Sequence, residues 1–357
     1  MDYFTDASRT NPSVIVGFGQ HPSGSGGIYL YTNNGSITGA WTGHTILASG
    51  NCYERTRPIT FPGNTFPNVV ASCKDQIILF NNTGNTGGNP VTDTWTQTVL
   101  NSTGGTHQIR IADIDGDGKL DIVCSASKSL GTSPNFILYQ DTPTSWQKVD
   151  GPGSLQDDID VISVSGAHDA IVGPAADNSG IYWFAYPGSR TGSWTRNFLG
   201  VGNKGTTVAA GTKDGKDYVI VASNEEPWTG GLAYYTQPAD PTQPWLGTTV
   251  DATYRAVHEI STGTLGSDPY FIAAEEEQAC IAGGDDYHAH IPCRVTLFRF
   301  SGGSLTAVQL FDQGTQNQSV LPYKGGLLVV GANHGVYGGF PALQGWIVPA
   351  PSPPGKE

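Results

Sequence analysis

Asp113-Ile114-Asp115-Gly116-Asp117-Gly118-Lys119-Leu120-Asp121 places four carboxylates in a short loop, with glycines where a chain must turn sharply. Alternating carboxylates suit a hard cation that takes about six to eight oxygens. The expected ion is a structural Ca2+, held by the side chains of Asp113, Asp115, Asp117 and Asp121 and by the carbonyl of Lys119. A site of that kind staples a fold and does not turn over substrate. A second set of residues has the opposite character. His107-Gln108-Ile109 and His258-Glu259-Ile260 share a His-polar-Ile pattern, and Arg55, Arg57 and Lys128 supply cations. Imidazole titrates near neutrality and can take or give a proton, while guanidinium and ammonium groups neutralise an acidic ligand. The candidates are therefore His107, His258 and Tyr287 for catalysis, and Arg55, Arg57, Lys128, His21, His334 and Glu275 for holding substrate. His288 and His290, at alternate positions, could also hold Zn2+ with His334 or Glu275.

These residues are scattered along the whole chain, so a repeat must bring them together. A short apolar strand ending in a small residue recurs from Val14-Ile15-Val16-Gly17 through Ile122-Val123-Cys124-Ser125 to Leu328-Val329-Val330-Gly331. Its seven copies begin 55, 53, 48, 49, 52 and 57 residues apart. After each comes a second strand rich in aromatics, such as Ile181-Tyr182-Trp183-Phe184, and in five units a Trp (41, 95, 146, 194, 245) opens another strand. With an extended stretch before each small-residue strand from the second unit on, every unit but the last counts four strands. Four short antiparallel strands repeated about every 50 residues with Gly-rich turns are the signature of a β-propeller. The expected fold is all-β, one seven-bladed propeller domain with four-stranded antiparallel blades over roughly 1–50, 51–104, 105–154, 155–201, 202–253, 254–314 and 315–350. The seventh unit lacks its outer strand, and the N-terminal residues are expected to cover its edge.

In such a meander the connections into the innermost strand and between the second and third strands share one face. Arg55, Arg57, His107, Asp157 and His258 lie at the starts of inner strands, around the mouth of a central channel. His21, Lys128, Glu275 and His334 fall in loops of the same face, as does the long connection from Gln278 to Pro292 that carries Tyr287 and His288. His44 and His168 fall elsewhere and read as ordinary solvated side chains. The acidic loop lies on the opposite face. Cys52 and Cys73 flank the two inner strands of the second unit and could be bridged; Cys280 and Cys293 bracket the long loop; Cys124 is left buried and free.

Composition narrows the partners. The net charge is −13, only 14% of residues are charged, and 48 Gly with 23 Pro resist helices. So acidic a chain does not bind nucleic acid or an anionic membrane, and no apolar run approaches the ~20 residues of a membrane helix. The sequons at Asn34, Asn81, Asn101 and Asn317 fit a secreted protein. Met1-Asp2-Tyr3-Phe4 has no signal-peptide character, so the chain reads as a mature form behind an added Met, and a monomer is expected.

The acidic loop resembles the Ca2+ loops of FG-GAP repeats in integrin-like propellers. The seven units, the Asp113–Gly118 motif and the stretch Thr106-His107-Gln108-Ile109-Arg110-Ile111-Ala112 leading into it together resemble fungal L-rhamnose-α-1,4-D-glucuronate lyases. The architecture resemblance covers the whole chain, the motif resemblance residues 106–121. It implies a secreted propeller that removes the rhamnose cap of gum arabic side chains by β-elimination, leaving a 4,5-unsaturated glucuronate, with His107 as the matching catalytic His. The residues suit that chemistry independently. The C5 proton of a uronate is weakly acidic, a cation beside the carboxylate stabilises the developing enolate, and a His can move the proton. The expected partner is a saccharide containing uronic acid. A propeller lectin is the first alternative and a glycoside hydrolase on the same scaffold the second; the unequal loops favour one asymmetric site over a lectin's repeated ones.

Overall fold

The computed structural model describes residues 2–4, 13–18, 26–33, 41–50, 52–64, 66–73, 76–83, 94–103, 106–125, 135–153, 155, 158–164, 170–202, 206–223, 231–254, 257–265, 267–275, 294–311, 316–323, 326–332 and 343–349. Among them there is no helix, and 27 strands, β1–β27 in chain order, pair into seven antiparallel sheets. Six sheets have four strands and the last, β25–β27, has three. The small-residue strands of the sequence are the second strand of each sheet, for example β6 (Asn68–Cys73), β10 (Asp121–Cys124) and β14 (Ala170–Pro174). Every residue of β6, β10 and β14 is buried, which explains their continuous apolar character. Outer strands such as β8 (Trp95–Asn101) and β12 (Ser145–Asp150) are largely exposed and correspondingly polar.

The N-terminal residues depart from expectation. Asp2–Phe4 forms β1 and pairs with β2 (Ser13–Phe18) in the register Asp2 with Ile15, so it serves as the fourth strand of the first sheet. The backbone hydrogen bonds of a strand are satisfied by the nearest open edge, and β2 offers one.

The chain divides into two compact units, Met1–Val208 with Gln237–Leu246, and Ala209–Thr236 with Gly247–Glu357. In the first unit each core lies between consecutive sheets. Leu30 and Ile28 pack with Val69, Ala71 and Phe80; Val70 and Leu79 pack with Ile122, Phe136 and Leu138; Val123 and Tyr139 pack with Ile159, Ile171 and Phe184. In the second unit Tyr218, Ile220 and Leu232 pack with Tyr254, Phe271 and Phe298, where Phe271 and Phe298 stack with centroids 4.7 Å apart. Apolar faces of successive sheets thus bury one another, and the inner strands β5 (Cys52–Ile59), β9 (Ile109–Ala112) and β13 (Asp160–Ile162) become neighbours. Cys52 and Cys73, opposite each other in β5 and β6, form a disulfide, and Cys124 is buried and free.

Candidate functional site

Three of the expected residues, Arg55 and Arg57 within β5 and His107 just before β9, come together through Gln108 and Asp158 within the first unit. Residues 106–108 are held rigidly because their backbone is bonded on both sides. Thr106 N–H donates to Ser72 Oγ at 2.8 Å, Gln108 N–H to Ser125 Oγ at 2.9 Å, and Ser125 N–H to Gln108 O at 3.1 Å. His107 stands between these anchors with its side chain 20% exposed. Its Nδ1 is buried, has no hydrogen-bond partner and lies 3.9 Å from Asp158 Oδ1. The same oxygen is 3.8 Å from Arg55 Nη2 and accepts Gln108 Nε2 at 3.0 Å. Gln108 Oε1 in turn accepts Arg57 Nη2 at 3.0 Å and the Ile109 N–H at 3.2 Å. Further along the inner strands Arg110 Nε donates to Asp160 Oδ1 at 2.8 Å, beside a small open cleft lined by Arg110, Ile111, Ala112, Asp160 and Val161.

The structure thus groups His107, Arg55 and Arg57 as their equivalent positions in the repeat suggested, and adds Asp158 and Gln108, with Asp160 nearby, which the sequence did not single out. Asp157 was the acid expected at the start of the fourth inner strand, and it lies outside the described residues; its neighbour Asp158 is the one that reaches His107, only 3% exposed in its side chain. His258 is in β21 (Val257–Leu265), but its side chain is outside the described set, as are His21, Lys128, Asp157, Tyr287, His288, His290, His334, Cys280 and Cys293 entirely.

Glu275, in the second unit, is placed differently from an open ligand group. It is 1% exposed, and its Oε2 accepts both the backbone N–H and Nε of Arg294 at 3.0 Å while Oε1 accepts Nη2 at 2.8 Å. Arg294 also reaches Thr253 and Asp251 and lies over the Tyr254 ring at 4.1 Å. This carboxylate is committed to an internal clamp.

The acidic loop joins β9 to β10, at the end of the sheet away from His107. Gly116 and Gly118 adopt φ of 74° and 83°, a region that favours glycine, and they fold the loop so that Asp113, Asp115 and Asp117 each bring an oxygen within 4.8 Å of the others. Asp113 Oδ2 accepts the Gly118 N–H at 2.8 Å, while its Oδ1 is buried without a hydrogen-bond partner. A buried carboxylate oxygen with no donor is what a hard cation would satisfy, so these residues fit one. Asp121 sits beneath the loop, fully buried, its Oδ2 accepting Ile114 N–H and its Oδ1 accepting Gln140 N–H. Burial, with the nearby Asp115 and Asp117 charges, pushes its carboxyl up to about 7 against those two hydrogen bonds.

Arg190, between β15 (Ile181–Ala185) and β16 (Thr195–Gly200), reaches this loop from the next sheet. Its guanidinium binds Asp115 Oδ2 at 2.7 Å, Asp117 Oδ2 at 3.3 Å and Asp141 Oδ1 at 2.6 Å, and lies 4.8 Å from the Tyr139 ring centre. Of the three loop carboxylates, Asp113 is the one with an oxygen buried without a hydrogen-bond partner.

Comparisons with known proteins agree with this architecture. Residues 63–124, from before β6 to the end of β10, match the FG-GAP-like repeat. A search of curated proteins finds no match. Among solved structures, a candidate 6-phosphogluconolactonase from Bacteroides uniformis is 13% identical, with 96% of this chain and 98% of that one covered at a TM-score of 0.58. The WD40 domain of Toxoplasma gondii coronin is 12% identical, with 96% and 80% covered at 0.56. A PL25 polysaccharide lyase, an ulvan lyase bound to a GlcA(1-4)Rha3S unit, is 12% identical with 79% and 81% covered, and its TM-score of 0.46 is too low to bear on function. At these identities the likeness establishes the fold alone: an all-β protein of four-stranded antiparallel sheets, of the propeller type to which WD40 domains belong, with an FG-GAP-like repeat over residues 63–124.

Proposed function

We propose that the protein is a secreted, monomeric polysaccharide lyase on a seven-bladed propeller, which cleaves rhamnose from the O4 of a terminal glucuronate by β-elimination. The observation that carries this reading is the cluster in which His107 and Arg55 approach Asp158 while Arg57 joins through Gln108, on or just before three neighbouring inner strands. A uronate entering there meets cations for its carboxylate and an imidazole for its C5 proton. The C5–H bond breaks to the base, a C4–C5 double bond forms, and the C4–O4 bond breaks with a proton delivered to the departing oxygen. Electrostatic stabilisation of the enolate-like intermediate is the largest single aid a protein gives such a step. Lys128, Tyr287, His258, His21 and His334 are further candidates for the same face. The acidic loop, with Asp113, Asp115 and Asp117 as ligands and Asp121 and Lys119 completing the set, holds a structural Ca2+ at the other end of the blade.

Hydrolysis by two carboxylates is less well supported, because Asp158 and Asp160 are each engaged by an arginine. A rhamnose-capped glucuronide separates the readings. The lyase produces ultraviolet absorbance from the conjugated double bond, a hydrolase releases sugar without it, and a lectin does neither. His107→Ala is expected to lose roughly a hundredfold or more of turnover with its melting temperature unchanged; retained turnover would overturn the assignment.

A further inference from the structure

We infer that Asp158 is a positioning residue for His107, which keeps a proton on Nδ1 and leaves Nε2 as the nitrogen that exchanges protons with the ligand. The catalytic consequence rests on the function proposed above; the tautomer does not. Because Thr106 and Gln108 are bonded to Ser72 and Ser125, the Cα of His107 is fixed, and the ring is placed by its own torsions alone. The ring is a fifth exposed, yet Nδ1 is buried, so the open part of the ring excludes that atom.

A neutral imidazole carries one donor and one acceptor nitrogen. Were Nδ1 the acceptor, its lone pair would be buried facing a carboxylate, a repulsive arrangement with no donor to relieve it. With the proton on Nδ1, a donor faces Asp158 Oδ1 across 3.9 Å, an attractive arrangement of an N–H dipole and a carboxylate. Asp158 is itself immobilised by Gln108 Nε2 and by Arg55, and Gln108 by Arg57 and the Ile109 N–H. The charged groups of this cluster among the described residues are Arg55 and Arg57 on β5 and Asp158 just before β13, with Arg110 on β9 and Asp160 on β13 further along the strands. Asp160 is paired with Arg110, and among the described residues Asp158 is the one carboxylate within 4 Å of the imidazole.

The chemistry follows. Nε2 accepts the C5 proton, the ring becomes an imidazolium with Nδ1–H directed at Asp158, and the proton leaves from Nε2 to O4 or to water as the ring returns to its starting tautomer. Asp158 never touches substrate. It fixes which nitrogen works, while Arg55 and Gln108 hold the same oxygen in place.

Nitrogen-15 NMR of the His107 imidazole tests this directly in the wild-type protein, and the expected result is the Nδ1–H tautomer. In Asp158→Asn, which keeps the shape and an acceptor for Gln108, the preference for the Nδ1–H tautomer should be lost, and kcat should drop at least about tenfold while KM changes less; Asp158→Glu should recover part of the preference. An Nε2–H tautomer in the wild type, or an unchanged Nδ1–H preference in Asp158→Asn, overturns the inference. If His107→Ala stays active the proposed site is wrong, whatever the NMR shows; if His107→Ala is inactive and the Asp158 variants keep the wild-type tautomer, this inference alone fails.

Discussion

Arg190→Ala offers a quantitative test of the acidic loop. Arg190 is the counter-charge for Asp115, Asp117 and Asp141, at 2.7, 3.3 and 2.6 Å, and it comes from the neighbouring sheet. Removing one partner of a buried ion pair costs about 3–5 kcal/mol. Asp117 and Asp141 are partly open to solvent, so screening brings the expected loss nearer to 2 kcal/mol. That loss applies when no metal is present and three carboxylates share the loop unneutralised. A bound divalent cation supplies the missing positive charge and should reduce the loss to about half, since the inner oxygens then face the ion. For a chain of this length 1 kcal/mol corresponds to about 2 °C, so Arg190→Ala should melt about 4 °C below wild type in chelator and about 2 °C below in excess calcium. Differential scanning fluorimetry of both proteins under both conditions gives the four numbers. Equal losses with and without calcium would refute the claim that the ion and Arg190 neutralise the same carboxylates.

Three further outcomes are expected. Replacing Cys52 and Cys73 by Ala opens a loop with a sequence separation of 21 and should lower stability by about 3 kcal/mol in urea titrations, while Cys124, whose thiol burial pushes up, should stay unreactive to thiol reagents until unfolding. Glu275→Gln removes the charge that three Arg294 N–H groups share and should cost about 3 kcal/mol by the same measurement; a change under about 0.5 kcal/mol would mean the clamp is dispensable. Burial works to raise the Asp251 carboxyl, but hydrogen bonds from Thr253 and the Arg294 charge outweigh it and hold it below 3.8. Its stabilising contribution is therefore complete above the unfolded-state value and lost as pH falls through the lower folded value, so the stability gap between wild type and Asp251→Asn should close in strongly acidic buffer.

How much of this could be read from the chain follows from the range of each interaction. The inner strands were legible because residues buried on both faces leave continuous apolar runs, as in Val69-Val70-Ala71 and Ile122-Val123-Cys124. The Cys52–Cys73 bridge followed from strand register, and the acidic loop from spacing within nine residues. The grouping of Arg55, Arg57 and His107 came from equivalent positions in successive units. What escaped was the partner chemistry between units. Arg190 meets Asp115 across 75 residues of sequence, and nothing local distinguishes it from any surface arginine. Asp158 lies one position from the acid that the repeat suggested, and a register argument in irregular backbone before a strand cannot resolve one residue. Glu275 looked available beside Glu276 because its commitment to Arg294 spans a long loop. The pairing of Asp2–Phe4 with β2 was missed for another reason: a three-residue strand carries no periodicity to detect.

The claim on which the account depends is that the His107 cluster eliminates across C4 and C5 of a uronate and adds no water. Turnover of a rhamnose-capped glucuronide in water enriched in heavy oxygen, followed by mass spectrometry of the glucuronate product, tests it most directly. The account predicts a product lighter than glucuronate by one water and free of the heavy label, with none formed by His107→Ala. A glucuronate of full mass, or one product carrying the label, would contradict it.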